Sequence, residues 1–576
     1  MPRLSLLPIL LAGAALSGCA SEPAPLPPAP VAAIEPTPDP GASPYGLFLA
    51  GHAARDAGSL GAAAAYLGRA ASAVGEPPYV RVEAFDAALR AGDVSGAAAL
   101  APPPDDPDLA ARRLGVLVRG VEAMANGKNK DAYLLLSGPD VGFPNKSIAL
   151  LLAPFAAAGA GDDVHALAHQ DMNGDGIAQF VGDLDQAQLD ERFGKPADAD
   201  AAFKALLAGG DESGLVTLSY GAFLERKGRS GDAQALYRQR LARDADNQPI
   251  IDALARAVKH GRPPPLPGLR QGASEAMLIP AAGLISQKQD GLGLDYLRLA
   301  LRLDPGNSEA WILVGDLLTG PDPDSARIAY AQVLPGSDRY VTARTKLAWN
   351  LQNAGEHDDG LRVARETAAA EPANREAAAA LADLLRANEQ FAESAAVLTR
   401  LIDAAGPRAD WRLYYLRATA YDETGEADKT EADLTAALKL DPDEPELLNF
   451  QAYFWIDRGE HLQDALAMVQ RAVAANPQSG EMIDSLGWAY YRLGDFKNAV
   501  ENLEQAINLE PAIPEVNDHL GDAYWRVGRK TEAQFQWRRV LSLSPNDKLR
   551  AKAEAKLASP LGPDAAITPP PGTISQ

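Results

Sequence analysis

A chain of 576 residues is long enough for several domains or for one extended array, and with 47% hydrophobic but only 6% aromatic residues its packing must rest on aliphatic and alanine contacts. The 77 acidic residues outweigh the 54 basic ones and leave a net charge of −23, which argues against a nucleic acid as partner and against broad attachment to an anionic lipid surface. Beyond the extreme N-terminus no aliphatic run approaches the ~20 residues that a membrane-spanning helix needs.

Residues 1–18 set one cation, Arg3, before an apolar run from Leu4 to Leu16 and then small residues, the layout of a secretory signal peptide. The ending Leu16-Ser17-Gly18-Cys19 resembles the bacterial lipobox. That resemblance implies cleavage before Cys19 and lipidation of Cys19. With Ala20 and Ser21 following, it also implies anchorage in the outer membrane with the folded part facing the periplasm. An ordinary signal peptide with a chance cysteine is the alternative. As the sole cysteine, Cys19 has no partner for an intrachain disulfide. Residues 19–44 are rich in Pro and Ala and read as an extended tether.

From residue 45 to 260 the pattern is helical but irregular. Leu49-Ala50-Ala53 and Ala64-Leu67-Ala70 flank a turn at Gly58, and shorter pairs follow through Ala84–Ala101 and the stretch around Leu114–Leu136. The period loosens around HALAHQDMNGDG. There His165 and His169 would share one face of a helix, where i, i+4 histidines can ligate zinc; a solvated polar face is the alternative. Asp171-Asn173-Asp175-Gly176 copies the start of a calcium loop, but position 12 is Gly182 and the acid Asp183 comes one place late; an ordinary turn accounts for the same residues. A metal-binding or enzymatic domain at 162–183 is therefore a minor alternative. A clear unit returns with Tyr220-Gly221, Leu224, Gly228, Ala233 and Tyr237. Residues 261–272, GRPPPLPGLRQG, read as a Pro-rich break between this array and a second one at 273–560.

The second array is more regular and is clearest over 411–545. Gly480–Pro511 and Ala512–Pro545 align residue for residue, with Leu486-Gly487 over Leu520-Gly521, Tyr490 over Tyr524 and Ala499 over Ala533. Pro477, Pro511 and Pro545 lie 34 residues apart. Leu, Gly and Tyr fall on one face of a first helix, and the small residues let two helix backbones approach. A large residue, Leu503 or Trp537, fills the space between them. One such pair cannot bury its apolar face alone and must stack on neighbours.

This period and residue order resemble the tetratricopeptide repeat (TPR), a helix-turn-helix unit of 34 residues, over most of 45–560. The resemblance implies an all-α, right-handed superhelical solenoid of TPR repeats, degenerate in the N-terminal half. It also implies a concave groove that binds other proteins. Family geometry places Glu481, Asp484, Trp488, Tyr491 and Arg492 in that groove, with Glu515, Asp518, Asp522, Trp525 and Arg526 one repeat later. In the unit from Trp411 the same positions are Arg412, Tyr415, Thr419, Asp422 and Glu423. For Trp488 and Trp525 the alternative is packing between adjacent helices. Leu486, Gly487, Tyr490, Ala499, Leu520, Gly521, Tyr524 and Ala533 fall at the repeat-packing positions. The pattern does not match the two-lysine, two-asparagine clamp for a free carboxyl terminus.

After Pro545 a polar stretch can cap the array, and 561–576 reads as a disordered tail. No GxSxG, P-loop, GxGxxG or CxxC occurs, so the expectation is a scaffold with no catalytic, cofactor or metal residues. The overall plan resembles bacterial repeat lipoproteins, some of which recruit a carboxyl-terminal processing protease and deliver cell-wall hydrolases to it. A permanent structural subunit of an envelope assembly or secretion machine would carry the same fold.

Overall fold

The computed structural model describes residues 42–73, 77–172, 174–210, 214–245 and 247–559. Cys19, the leader, nearly all of the tether and the tail 561–576 lie outside them. Among the described residues the regular structure is helical, without strands, and within each compact unit most neighbouring helices pack as helix-turn-helix pairs.

Local chemistry sets the boundaries of these helices. Ser479, Asp495 and Asn546 cap helix starts by accepting a backbone N–H three residues on, which satisfies donors that have no partner within the helix. Between the two helices of the last pairs, Gly494 and Gly528 turn the chain at φ 83° and 86°, a conformation that only glycine adopts at little cost.

One fit recurs inside the pairs. A Cβ added to Gly487 would come within 2.6 Å of Leu503 Cγ, and one on Gly521 within 2.5 Å of Trp537 Nε1. The same close approach joins Gly51 to Leu67, Gly120 to Leu136 and Gly221 to Tyr237, again sixteen residues apart. It joins Gly315 to Tyr330 in the repeat shortened at 320–324. Leu486, Ala499, Leu520, Tyr524 and Ala533 are buried beside these contacts, and Tyr490 is half-buried.

Packing divides the chain into two compact units, Met1–Thr367 and Ala368–Gln576. They part there rather than at 261–272. Residues 261–268 are indeed non-helical, but the prolines act as a strap inside the first unit. Pro has no N–H to give a helix, and its carbonyls are taken by arginines: Arg226 Nη1 donates to Pro264 O at 3.0 Å, and Arg192 donates to Pro267 O. The strap leads into the helix Leu269–Ala276, whose Gly272 lies against Phe155 of the helix Lys146–Ala160.

The helix Asp290–Leu303 follows and is the most deeply enclosed in this unit. It packs on the helices Pro78–Ala91 and Leu109–Ala125, first helices of early repeats. Arg302 Nε pairs with Glu122 at 2.7 Å, Arg298 Nε donates to Arg90 O at 3.0 Å, and Tyr296 OH donates to Asn145 Oδ1 at 3.0 Å. The inner side of the first array is thus filled by the chain's own later helices.

This arrangement buries acids. Burial is the main cause that raises the Asp295 carboxyl to about 7, against the pull of Arg90 and with a push from Asp86. Glu275 is raised to about 7 and Asp185 is raised well above its usual value, in both cases chiefly by burial. A carboxyl whose folded pKa lies above its unfolded value supports folding when protonated, and that support is lost as pH rises through the folded value. The first unit is therefore expected to melt at a higher temperature at pH 5.5 than at pH 8. Asp295→Asn should remove about 2 kcal/mol of this dependence between pH 5.5 and 8, measured as stability against pH for both proteins. An unchanged slope in the variant would contradict the assignment.

Candidate protein-binding groove

In the second unit the first helices of the last four repeats are α1 (Trp411–Glu423), α2 (Pro445–Arg458), α3 (Gly480–Arg492) and α4 (Pro514–Arg526), and the final helix is α5 (Asp547–Ala558). Repeat spacing puts Asn449, Asp484 and Asp518 at one equivalent position on α2, α3 and α4, 35 and 34 residues apart.

The expected groove residues divide into two groups. Asp484, Asp518 and Asp522 are buried, and each is engaged within the chain. Both carboxylate oxygens of Asp518 lie 2.7 Å from Lys556 Nζ of α5, and Asp522 lies within 2.9 Å of the same ammonium. Trp537 Nε1 donates to Asp522 Oδ1 at 3.0 Å. Asp484 Oδ2 lies 2.9 Å from His519 Nδ1. Burial alone would lower the His519 pKa, but the carboxylates of Asp484, Asp518 and Asp522 outweigh it and the pKa is raised. Lys556 behaves likewise: burial works against its charge, Asp522 and Asp518 favour it, and the net shift is upward.

The aromatic residues also pack rather than line an open channel. Tyr491 is 1% exposed, so its expected place in the lining is corrected to the core. Its ring stacks on Trp488 at 4.5 Å and 10°, and Trp488 stacks on His519 at 4.1 Å and 12°. Trp525 is half-buried with its ring 5.5 Å from Trp537. The arginines reach back one repeat. Arg492 Nη1 donates to Asp457 O at 2.8 Å, while Arg526 Nε donates to Tyr491 OH at 3.3 Å and its guanidinium lies over the Phe496 ring at 5.8 Å. The reason is geometric: first helices stand side by side, so a long side chain near the end of one meets the helix before it.

Glu481 and Glu515 remain exposed, and with them Arg412, Asp422 and Glu423 of α1 and Glu446 and Asp457 of α2. Arg412 stacks on the Trp411 ring at 4.6 Å, and Tyr415, Thr419 and Tyr453 are half-buried. Burial raises the Tyr453 phenol, and Asp457, Asp484, Glu515 and Asp422 add to the shift from all four helices. Although its side chain reaches solvent, crowding by the neighbouring helices partly desolvates Glu481 and raises it, with Glu510, Asp484 and Glu446 pushing the same way. The open inner face of α1–α4 is a field of carboxylates around tyrosines.

The stretch at 162–183 forms no shared histidine face, because its helix spans only Asp163–Ala166 and stops before His169. His165 Nδ1 lies 2.6 Å from Asp162, and His169 Nδ1 lies 3.8 Å from Asp183. Asp175 is a helix cap, accepting from Ala178 N at 3.0 Å. Asn173 lies outside the described residues.

Sequence reasoning missed five participants. The groove positions were not carried onto the Pro445 repeat, which would have found Glu446, Tyr453 and Asp457. His519 lies one place beyond a groove position and was overlooked. Lys556 had a signal in composition: Lys548, Arg550, Lys552 and Lys556 crowd four cations into one short helix of an acidic chain.

Comparison with known proteins bears on the same region. A family model described as tetratricopeptide repeat matches residues 345–410 and 415–480, and one described as TPR repeat matches 487–528. The TPR repeat-containing protein PA4667 of Pseudomonas aeruginosa is 26% identical over 182 residues, a match that spans 31% of this chain and only 30% of the relative's length. Among solved structures, the APC/C hetero-tetramer Cut9–Hcn1 aligns over 90% of this chain and 96% of its own at 15% identity and a TM-score of 0.38. MamA from Desulfovibrio magneticus aligns over 28% of this chain and 94% of its own at 21% identity and a TM-score of 0.24.

Proposed function

We propose, from the premise that this chain carries tetratricopeptide repeats, that it is a non-enzymatic scaffold holding other proteins on the inner face of α1–α4. The observation that carries this reading is the contrast between the two units. The first unit fills its inner side with its own helices, while the second leaves Glu446, Asp457, Glu481 and Glu515 exposed on its first helices. Such exposed residues at the ends of first helices are free to meet a partner. The leader ending in Leu16-Ser17-Gly18-Cys19 supports a finer version: a lipoprotein held at the periplasmic face of the outer membrane through Cys19, where it recruits a protease or a cell-wall enzyme.

Two measurements test these layers separately. A photoreactive residue in place of Tyr453 is expected to crosslink to discrete envelope proteins, a protease or hydrolase among them. The same residue in place of Asp464, on the second helix of its repeat, should not. Matching adducts from both positions, or none from Tyr453, would sink the groove reading. In fractionation, wild-type protein should sediment with outer membranes and Cys19→Ser should be released; equal distribution would remove the anchor.

A further inference from the structure

The chain lays one of its own basic helices against the last of these first helices. α5 is a basic helix with few apolar anchors: Leu549 and Ala553 are buried against Val540, and Leu557 packs on the cluster of Tyr491, Leu503 and Trp537. Beside Leu557, its far end meets the first helices through charge. Lys556 inserts between Asp518 and Asp522 of α4. The buried ammonium satisfies two carboxylates that would be costly alone.

The pattern at the equivalent position is then informative. On α4 Asp518 is met by the cationic Lys556, and on α3 Asp484 is met by His519. On α2 the same position holds Asn449, which is 6% exposed and whose Oδ1 has no hydrogen-bond partner. A buried acceptor without a donor is an unusual expense in a native structure. Beside it in the array stand the exposed carboxylates of Glu446, Asp457 and Glu481. Two repeats have their donor and the third does not.

We propose that the inner face of α1–α4 takes a lysine- or arginine-bearing segment of a partner protein, laid along Glu446, Asp457 and Glu481, with α5 as the resident occupant of the last repeat. This rests on the protein-binding reading above and narrows it to the charge of the segment that binds. Carboxylates arranged in one field steer a cationic segment and disfavour an acidic one by like-charge repulsion. The half-buried rings of Tyr415 and Tyr453 supply apolar surface for the stems of the basic side chains.

The test uses the full chain and two labelled helical peptides of equal length, one alanine–lysine and one alanine–glutamate, followed by fluorescence anisotropy. The lysine peptide is expected to bind and the glutamate peptide not to. The triple variant Glu446→Lys, Asp457→Lys, Glu481→Lys should weaken binding at least about tenfold. A control with the same change in net charge, Asp428→Lys, Asp464→Lys, Glu501→Lys on second helices, should bind as the wild type does. Unchanged circular dichroism and melting would show that both variants fold. Equal loss in both variants would mean attraction to net charge alone and would overturn the proposal, as would binding of neither peptide or of both. If the Tyr453 crosslinks form while the lysine peptide fails to bind, the basic-segment inference falls and the scaffold reading stands. If the crosslinks fail as well, both fall.

Discussion

Replacing Trp537 with alanine is expected to destabilise the last repeats by about 3–5 kcal/mol. The indole is fully buried and is the large partner of Gly521 in the close helix approach. Removing it leaves a cavity where glycine offers no side chain to fill the space, so the transfer and cavity terms add. Asp522 Oδ1 would also lose the donor that Trp537 Nε1 provides at 3.0 Å, leaving a buried carboxylate more dependent on Lys556. The packing cluster that includes Tyr491, Leu503 and Leu520 would loosen with it. Because repeats unfold partly independently, the effect should be read locally, as lost hydrogen-exchange protection across Pro514–Arg526 and Lys530–Ser542. Protection unchanged within about 1 kcal/mol would contradict the packing account.

Lys556→Met is expected to have the second large effect, about 3–5 kcal/mol at neutral pH, because it breaks a buried ion pair from one side. The Lys556 side chain is 13% exposed and those of Asp518 and Asp522 are 7% exposed. Burial already raises Asp522 to about 6, with Lys556 pulling it down and Asp518 pushing it up. Without the ammonium both acids are left facing each other in a poorly solvated site. Protonation relieves that repulsion, and without Lys556 the acids take up a proton more readily than in the wild type, so the damage should shrink as pH falls from neutral toward about 6 and change little below it. The observable is α5 itself: proteolysis and hydrogen exchange over Asp547–Ala558 should rise sharply at pH 7.5 and little at pH 5. Adding Asp518→Asn and Asp522→Asn to Lys556→Met should restore part of the protection at pH 7.5, since neutral amides need no counter-charge. A pH-independent loss would mean that α5 is held by Leu549 and Ala553 rather than by charge.

These two residues mark different degrees of legibility. Trp537 could be assigned from sequence, because its role depends on a period: a glycine sixteen residues before it on the facing helix, and Leu503 in the same place one repeat earlier. The same spacing at Gly120–Leu136 shows that the weak N-terminal repeats obey the rule with fewer of its other residues. Arg492 and Arg526 were harder. Position on the first helix does not tell whether a long side chain turns outward or braces the preceding repeat, and here both brace. Glu481 and Glu515, in the first turns of their helices, kept their exposure.

By itself the sequence determined the repeating unit: where helices begin and end, which faces are apolar, and which small residue meets which large one. All of these depend on neighbours within one repeat, where helical geometry leaves little freedom. Only the tertiary structure decided what occupies the inner faces. Arg302 meets Glu122, and Lys556 meets Asp518 and Asp522, across separations of 180, 38 and 34 residues. Charges at such separations pair only after many small repeat-to-repeat rotations have accumulated, and no local period records that sum. The acidic face around Tyr453 is thus set by what the fold leaves uncovered, and α5 by what the fold brings back to it.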